Sequence, residues 1–241
     1  MSVQFSILSS LRLSLQVALL ATVFVALIGG LIGYLLARHN IQEKREKKER
    51  QVRFLPSNFL LFVFEALITL PLTLPPTVVG FYLLVLFGRN GFVGRPLYEI
   101  TGWSLVFTWQ GAVVAAAVMA LPLMVKTTRA ALESVDPIYL QAAQTLGQSE
   151  WQVFWRVWLP LAWKGIFAGV VLSFARALGE FGATLMIAGN IPGATQTMPM
   201  AIYEAATAGN ERLALILVVI LSFISLVVVS LTNYLEQRHA Q

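Results

Sequence analysis

The chain has 241 residues, 57% of them hydrophobic and only 12% charged, a formal net charge of +5 and no cysteine; its mean hydropathy is +0.73. Soluble domains carry about 25% charged residues, so a soluble globular fold is excluded, and the missing cysteines exclude disulfides, thiolate metal sites and thiol catalysis. Apolar runs of about 18 or more residues read as membrane helices; these do not alternate as barrel strands do over about 10 residues, which predicts an all-α integral membrane protein.

Five spans are predicted. The first covers 13–37. It is long, has no strongly basic leader and is followed by further spans, so it is expected to stay as a membrane helix rather than be cleaved as a signal. The loop behind it, "RHNIQEKREKKERQVR", carries Arg38, Lys44, Arg45, Lys47, Lys48, Arg50 and Arg53. Glu alternates with Lys at helical spacing over 43–50, which reads as a solvated helical turn. The second span, 59–87, contains "LPLTLPP". Pro71, Pro75 and Pro76 lack an N–H and disfavour a helical residue before them, so a kink or break is expected. Two half-helices there would raise the count to six. The third span covers 103–125, the fourth 166–188 and the fifth 213–235.

Orientation follows the basic residues. With the 38–53 loop in the cytoplasm, the 126–164 segment (Lys126, Arg129, Arg156, Lys164) and the C-terminus (Arg238) are also inside. Arg12, Arg89, Arg95 and Arg212 remain outside, and Arg176 lies within a span. The N-terminus is then outside and the C-terminus cytoplasmic. His39 and His239 sit beside charged residues near span ends and read as solvated. No soluble basic face exists for nucleic acid. Trp103 and Trp109 near one side, and Trp151, Trp155, Trp158 and Trp163 near the other, are placed as interfacial anchors.

The 126–164 segment holds a polar cassette, "LQAAQTLGQSEWQVFWRVWLPLAW". Asp136 can cap a helix, Pro137 fits its first position and Gly147 its stop. Ile138, Leu140, Ala143 and Leu146 are available for an apolar side. A short helix outside the membrane suits a groove in a partner; a helix resting on lipid is the alternative.

This cassette resembles the permease subunits of ABC importers. Their cytoplasmic signature runs Glu-Ala-Ala, three residues, Gly, nine residues, Ile, one residue, Leu-Pro. Here Gln141, Ala142 and Ala143 are followed by Gly147, then by Val157, Trp158, Leu159 and Pro160 at the matching distances. Gln stands for Glu and Val for Ile. The resemblance implies a type I importer permease fold, with 136–160 as the coupling loop that sits in a cleft of a cytoplasmic ATPase. Losing the Glu removes one charge, and with it any salt bridge that residue would make. A second resemblance narrows the substrate. "FARALGEFGATLMIAGNIPGATQTMPMAIY", "LPLTLPP" and "LFGRNGFVG" are similar to molybdate permeases, whereas sulfate and thiosulfate permeases usually carry Gly-Glu-Tyr-Gly where this chain has Gly179, Glu180, Phe181 and Gly182. Tungstate is too close chemically to be separated. The implied partners are two ATPase subunits, which bind ATP and Mg, an extracytoplasmic oxyanion-binding protein, a second copy of this chain, and lipid. No cofactor is expected on this chain.

Arg176 and Glu180 are spaced i,i+4 inside the fourth span. Ionisable groups at that depth usually face a bundle interior or a water-filled path, and at this spacing they can pair. They either line an anion path or orient helices; self-neutralisation of Arg176 favours the second. Glu65 is a further candidate partner. Gly182 and Thr184 complete the set of path candidates. "GNIPGATQT" reads as a turn-rich closing loop, and "TMPMAIYEAATAGN" as a short re-entrant or interfacial helix. Gly179, Gly182, Gly189 and Gly193, in the outer half of the fourth span and the loop after it, either meet an oxyanion through backbone amides or simply shape the loop. Gly29 with Gly33, and Gly165 with Gly169, form GxxxG pairs that allow close helix packing, within the chain or in a homodimer. No G-x-x-x-x-G-K-[ST] phosphate loop occurs, nor any metal-spaced cluster or nucleophile–base pair, so no enzyme is expected. An ion-coupled carrier would want inverted repeats, which are not found.

Overall fold

The computed structural model describes residues 2–50 and 59–237. Arg53, Arg238 and His239 lie outside the described residues, as do the side chains of residues 43–50. The described residues form α1 (Ser2–Arg50), α2 (Phe59–Thr73), α3 (Pro76–Phe87), α4 (Gly94–Thr101), α5 (Trp109–Glu133), α6 (Pro137–Thr145), α7 (Glu150–Val153), α8 (Leu159–Leu178), α9 (Gly182–Ala188), α10 (Met198–Thr207) and α11 (Glu211–Gln237), with no strand among them. Four helical stretches are long and apolar enough to cross a membrane, five when α2 and α3 count as one bent span.

The helix bounds depart from the sequence reading in ways that local chemistry explains. The first span was expected at 13–37, but α1 continues to Arg50, because Gln, Glu, Lys and Arg are good helix formers. At 49 residues it is roughly 70 Å long, well beyond the hydrocarbon thickness. The break expected in "LPLTLPP" is a bend of 118° between α2 and α3. Pro75 is held extended (φ −54°, ψ 136°) by the proline that follows it, and Pro76 starts the new helix. The third span begins at Trp109 rather than 103. Thr108 caps it by accepting from Gly111 N at 3.2 Å, and Phe107 before it has φ +61°, which no helix continues through. The fourth span begins earlier than 166 and stops at Leu178; α9 is a separate helix after a break at 179–181.

α5 is the hub. Its run "GAVVAAAVMA" removes bulk, and Ala112, Ala115, Ala116 and Ala120 are fully buried against α1, α3, α8 and α9. Without water to expel, helices associate in lipid through close packing and interhelical hydrogen bonds, and small residues permit that approach. Both GxxxG pairs seat on this hub within the chain. A Cβ on Gly29 would lie 3.1 Å from Met124 Cβ, and one on Gly33 2.8 Å from Thr128 Cβ. A Cβ on Gly165 would meet Ala131, and one on Gly169 would meet Thr127. These registers make α1 parallel to α5 and α8 antiparallel to it. α11 sits at the edge of this core, with Leu221 and Ile224 packed against it, and of residues 211–230 Leu217 alone is buried.

Gly33→Val is therefore expected to destabilise the chain by about 1–3 kcal/mol through overpacking, since its Cβ would also sit 2.9 Å from the backbone oxygen of Val125. Gly30→Ala on the same helix meets only the end of Met124, at 3.9 Å, and should be neutral or slightly stabilising. Thermal denaturation of the two purified variants checks the contrast.

Candidate functional site

The polar cassette folds into three linked pieces. α6 starts where Asp136 accepts from Ile138 N at 2.9 Å, with Pro137 in its first turn. It ends at Gly147 in the left-handed region (φ +79°), where Gly147 N and Gln148 N return to the carbonyls of Gln144 and Ala143. Ser149 and Gln152 then form a reciprocal capping box that starts α7. Between α7 and α8, residues Phe154–Trp158 form a π-turn, closed by Leu159 N on Phe154 O. Pro160 accounts for this widening. It has no N–H, and its ring crowds the carbonyl four residues back, so the ladder passes through the region with one extra residue in the turn.

α6 has two faces. Leu140 and Ala143 point inward and join Ala37, Ile41, Val135 and Trp158 in a buried cluster. Ile138, Ala142 and Leu146 share the opposite, exposed side, with Leu146 81% exposed. Gln141 and Gly147 are also exposed. Of the four residues available for an apolar side, Leu140 and Ala143 fill it against α1 and α5, whereas Ile138 and Leu146 are left exposed. Leu159 is half-buried, and Pro160 is exposed at the first turn of α8.

Trp158 was read with the other tryptophans as an interfacial anchor. It is 6% exposed, and its indole N–H donates to the backbone oxygen of Leu132 at 2.8 Å. It stacks edge-on with Tyr34 of α1 at 5.5 Å. Arg38 of α1 pairs with Glu150. Arg129 of α5 bonds Glu65 of α2 at 2.7 Å and Glu133 at 2.8 Å, and Asn40 reaches Glu133 at 2.9 Å. Glu65 is thus the partner of Arg129 and not of Arg176. The sequence signals charges here without saying which pairs meet, since α1, α2 and α5 are far apart along the chain.

Arg176 and Glu180 pair at 2.6 Å, with the Glu180 side chain 1% exposed and that of Arg176 27% exposed. Glu180 also accepts from Ala183 N at 2.8 Å. One carboxylate therefore closes the end of α8 and caps the start of α9, which explains why the helix breaks there. Gly182 is buried, and a Cβ on it would lie 3.0 Å from Pro76, so it is a close-approach position between α9 and α3. Thr184 is 1% exposed, and its hydroxyl has no hydrogen-bond partner among the described residues; Ser173 on α8 is in the same state. Of the four path candidates Arg176 alone reaches the surface to a substantial extent. In the 189–197 segment Ile191 O gathers the N–H groups of Ala194, Thr195 and Gln196, so those amides are already satisfied within the loop.

A family model described as the inner membrane component of binding-protein-dependent transport systems matches residues 52–241. The molybdenum transport system permease protein ModB of Haemophilus influenzae is 41% identical over 96% of this chain and 94% of that protein. ModB of Escherichia coli K12 is 44% identical over 90% of this chain and 89% of that protein. In structure, the chain is similar to one from a methionine ABC transporter in an inward-facing conformation, with a TM-score of 0.71, 15% identity, and coverage of 98% and 96% of the two chains. That likeness is one of fold.

Proposed function

The chain belongs to the inner membrane components of binding-protein-dependent transport systems, and on that premise we propose that it is the permease subunit of an ATP-driven molybdate importer. The fold is that of ABC importer permeases, and the assignment to molybdate rests on relatives matched over nearly the full chain. The observation that carries the mechanism is the capped helix α6, exposed on one side and locked on the other into α1, α5 and α8. ATP and Mg are bound by two ATPase chains that dock on this helix. Two copies of the permease enclose the path, and an external oxyanion-binding protein delivers the substrate. The Arg176–Glu180 pair orients the helices beside the path, and Arg176 as a path-lining cation is the second reading. No cofactor belongs to this chain.

Reconstituted with its ATPase and binding protein, the transporter is expected to take up labelled molybdate only with ATP, with competition by tungstate and little by sulfate. Uptake without the ATPase would sink the importer reading, and sulfate as the preferred substrate would move the chain to the sulfate class.

In the proposed orientation the α6 end is cytoplasmic and the 189–197 segment faces outward. Cysteine labelling tests this in a cysteine-free chain. Ser134 and Ala194 are both exposed. Ser134→Cys should react with an impermeant maleimide only from the cytoplasm, and Ala194→Cys only from outside. The reverse pattern overturns the orientation.

A further inference from the structure

The proline pair that cuts the second span leaves a surface that lipid cannot cover. Pro75 and Pro76 have no N–H to offer the carbonyls of Pro71 and Leu72, four residues back. Val78 N and Val79 N both donate to Pro75 O. Leu72, Thr73, Pro75, Pro76 and Thr77 are all exposed on the surface of the chain.

The break lies at membrane depth. Thr73 is about 12 Å beyond Glu65 along α2, and Glu65 is tied to Arg129 near the α6 end of α5. On the other side of the break Pro76 packs on Gly182. From there α9 runs about 8 Å to Ile187, whose carbonyl accepts from Phe107 N just ahead of α5. Both measures put the break between the two ends of α5.

Non-helical backbone at such depth is tolerated only where protein buries it or where it lines a water-filled cavity. This chain does not bury it. A neighbouring group has the same requirement. The Arg176 side chain is 27% exposed inside the fourth span, where an ionisable group faces a bundle interior or water. Its partner Glu180 caps Ala183, the residue after Gly182. The exposed face of α11 is different: Leu215, Val219, Phe223 and Leu226 present apolar side chains to the surroundings, as a lipid-facing helix does.

We propose that the α2–α3 break faces a second copy of this chain across a water-filled passage, with Thr73 and Thr77 of each copy lining it. The inference rests on the reading that two copies enclose the path, and it assigns the surface that does so.

The chain has no cysteine, so Thr73→Cys, Thr77→Cys and Val219→Cys are each read on this chain alone. The assembled transporter, in vesicles permeabilised so that reagent reaches both faces, is treated with a charged methanethiosulfonate. Thr73→Cys and Thr77→Cys should react faster than Val219→Cys by about tenfold or more, since a thiolate forms in water and not against lipid tails. A bifunctional methanethiosulfonate should join two copies at Thr73→Cys or Thr77→Cys and leave Val219→Cys as single chains on a denaturing gel. Reaction no faster than that of Val219→Cys overturns the passage. Fast reaction with no joined copies overturns the second copy as its other wall. ATP-driven uptake by the parent chain, measured separately, tests the importer reading alone. Reactive, joined cysteines with no uptake keep this inference and sink that reading; uptake with unreactive cysteines does the reverse.

Discussion

Replacing Gly147 with Trp is expected to abolish transport while leaving the chain folded in the membrane. The position has φ +79°, and a Cβ there would meet nothing within 4 Å. The strain of an L-residue in this conformation is about 1–2 kcal/mol and falls on an exposed turn. The core on α5 does not sense it. A Trp there adds bulk to the exposed turn that follows Ala142 and Leu146, which this chain leaves uncovered. A helix seated in a groove tolerates little added bulk there. We expect a normal yield of inserted dimer, weakened co-purification of the ATPase and no measurable uptake. Gln141→Glu, exposed on the same helix, should retain both binding and uptake. Undiminished ATPase binding and uptake in Gly147→Trp would show that α6 is not the coupling element.

The second large effect is expected at the buried ion pair. Arg176→Ala leaves the Glu180 carboxylate 1% exposed and without its cation, and breaking a buried pair in this way costs about 3–5 kcal/mol. The folded yield should fall sharply. Arg176→Ala combined with Glu180→Ala should recover much of it, though not all, since the double variant also loses the cap on Ala183 N. Combining Arg176→Ala with Glu180→Gln keeps an acceptor for that amide and should recover more. Thermal melting of the four proteins separates these terms. Normal stability with lost uptake in Arg176→Ala would show that the arginine serves the path and is dispensable for the fold.

Features set by neighbours in the chain were legible in the residues. Asp136, Pro137 and Gly147 announce a helix and its ends because capping acts over two to five residues. The proline run announces its bend for the same reason. Contacts between distant segments were not legible. GxxxG states that a backbone approaches closely, without naming what approaches, and both pairs turned out to face α5. Trp158 looked like its neighbours because an indole suits either an interface or a buried acceptor. Its bond to Leu132, 26 residues away, depends on the turn that Pro160 widens. Glu65 illustrates the same limit: its partner, Arg129, is 64 residues away.

The joint at 154–158 also determines how a push on α6 would travel. No slack segment separates α6 from the membrane helices. Ala143 and Leu140 are packed in, and Trp158 fastens the start of α8 to the end of α5. A push on α6 would therefore reach the end of α5 and the start of α8 together. α5, at 25 residues, is about 38 Å long, so a tilt of about 5° about its midpoint would displace each end by about 1.7 Å. Pro122 lies at the middle of α5 and removes one hydrogen bond from its ladder, so the centre of that helix is where such leverage meets its weakest point.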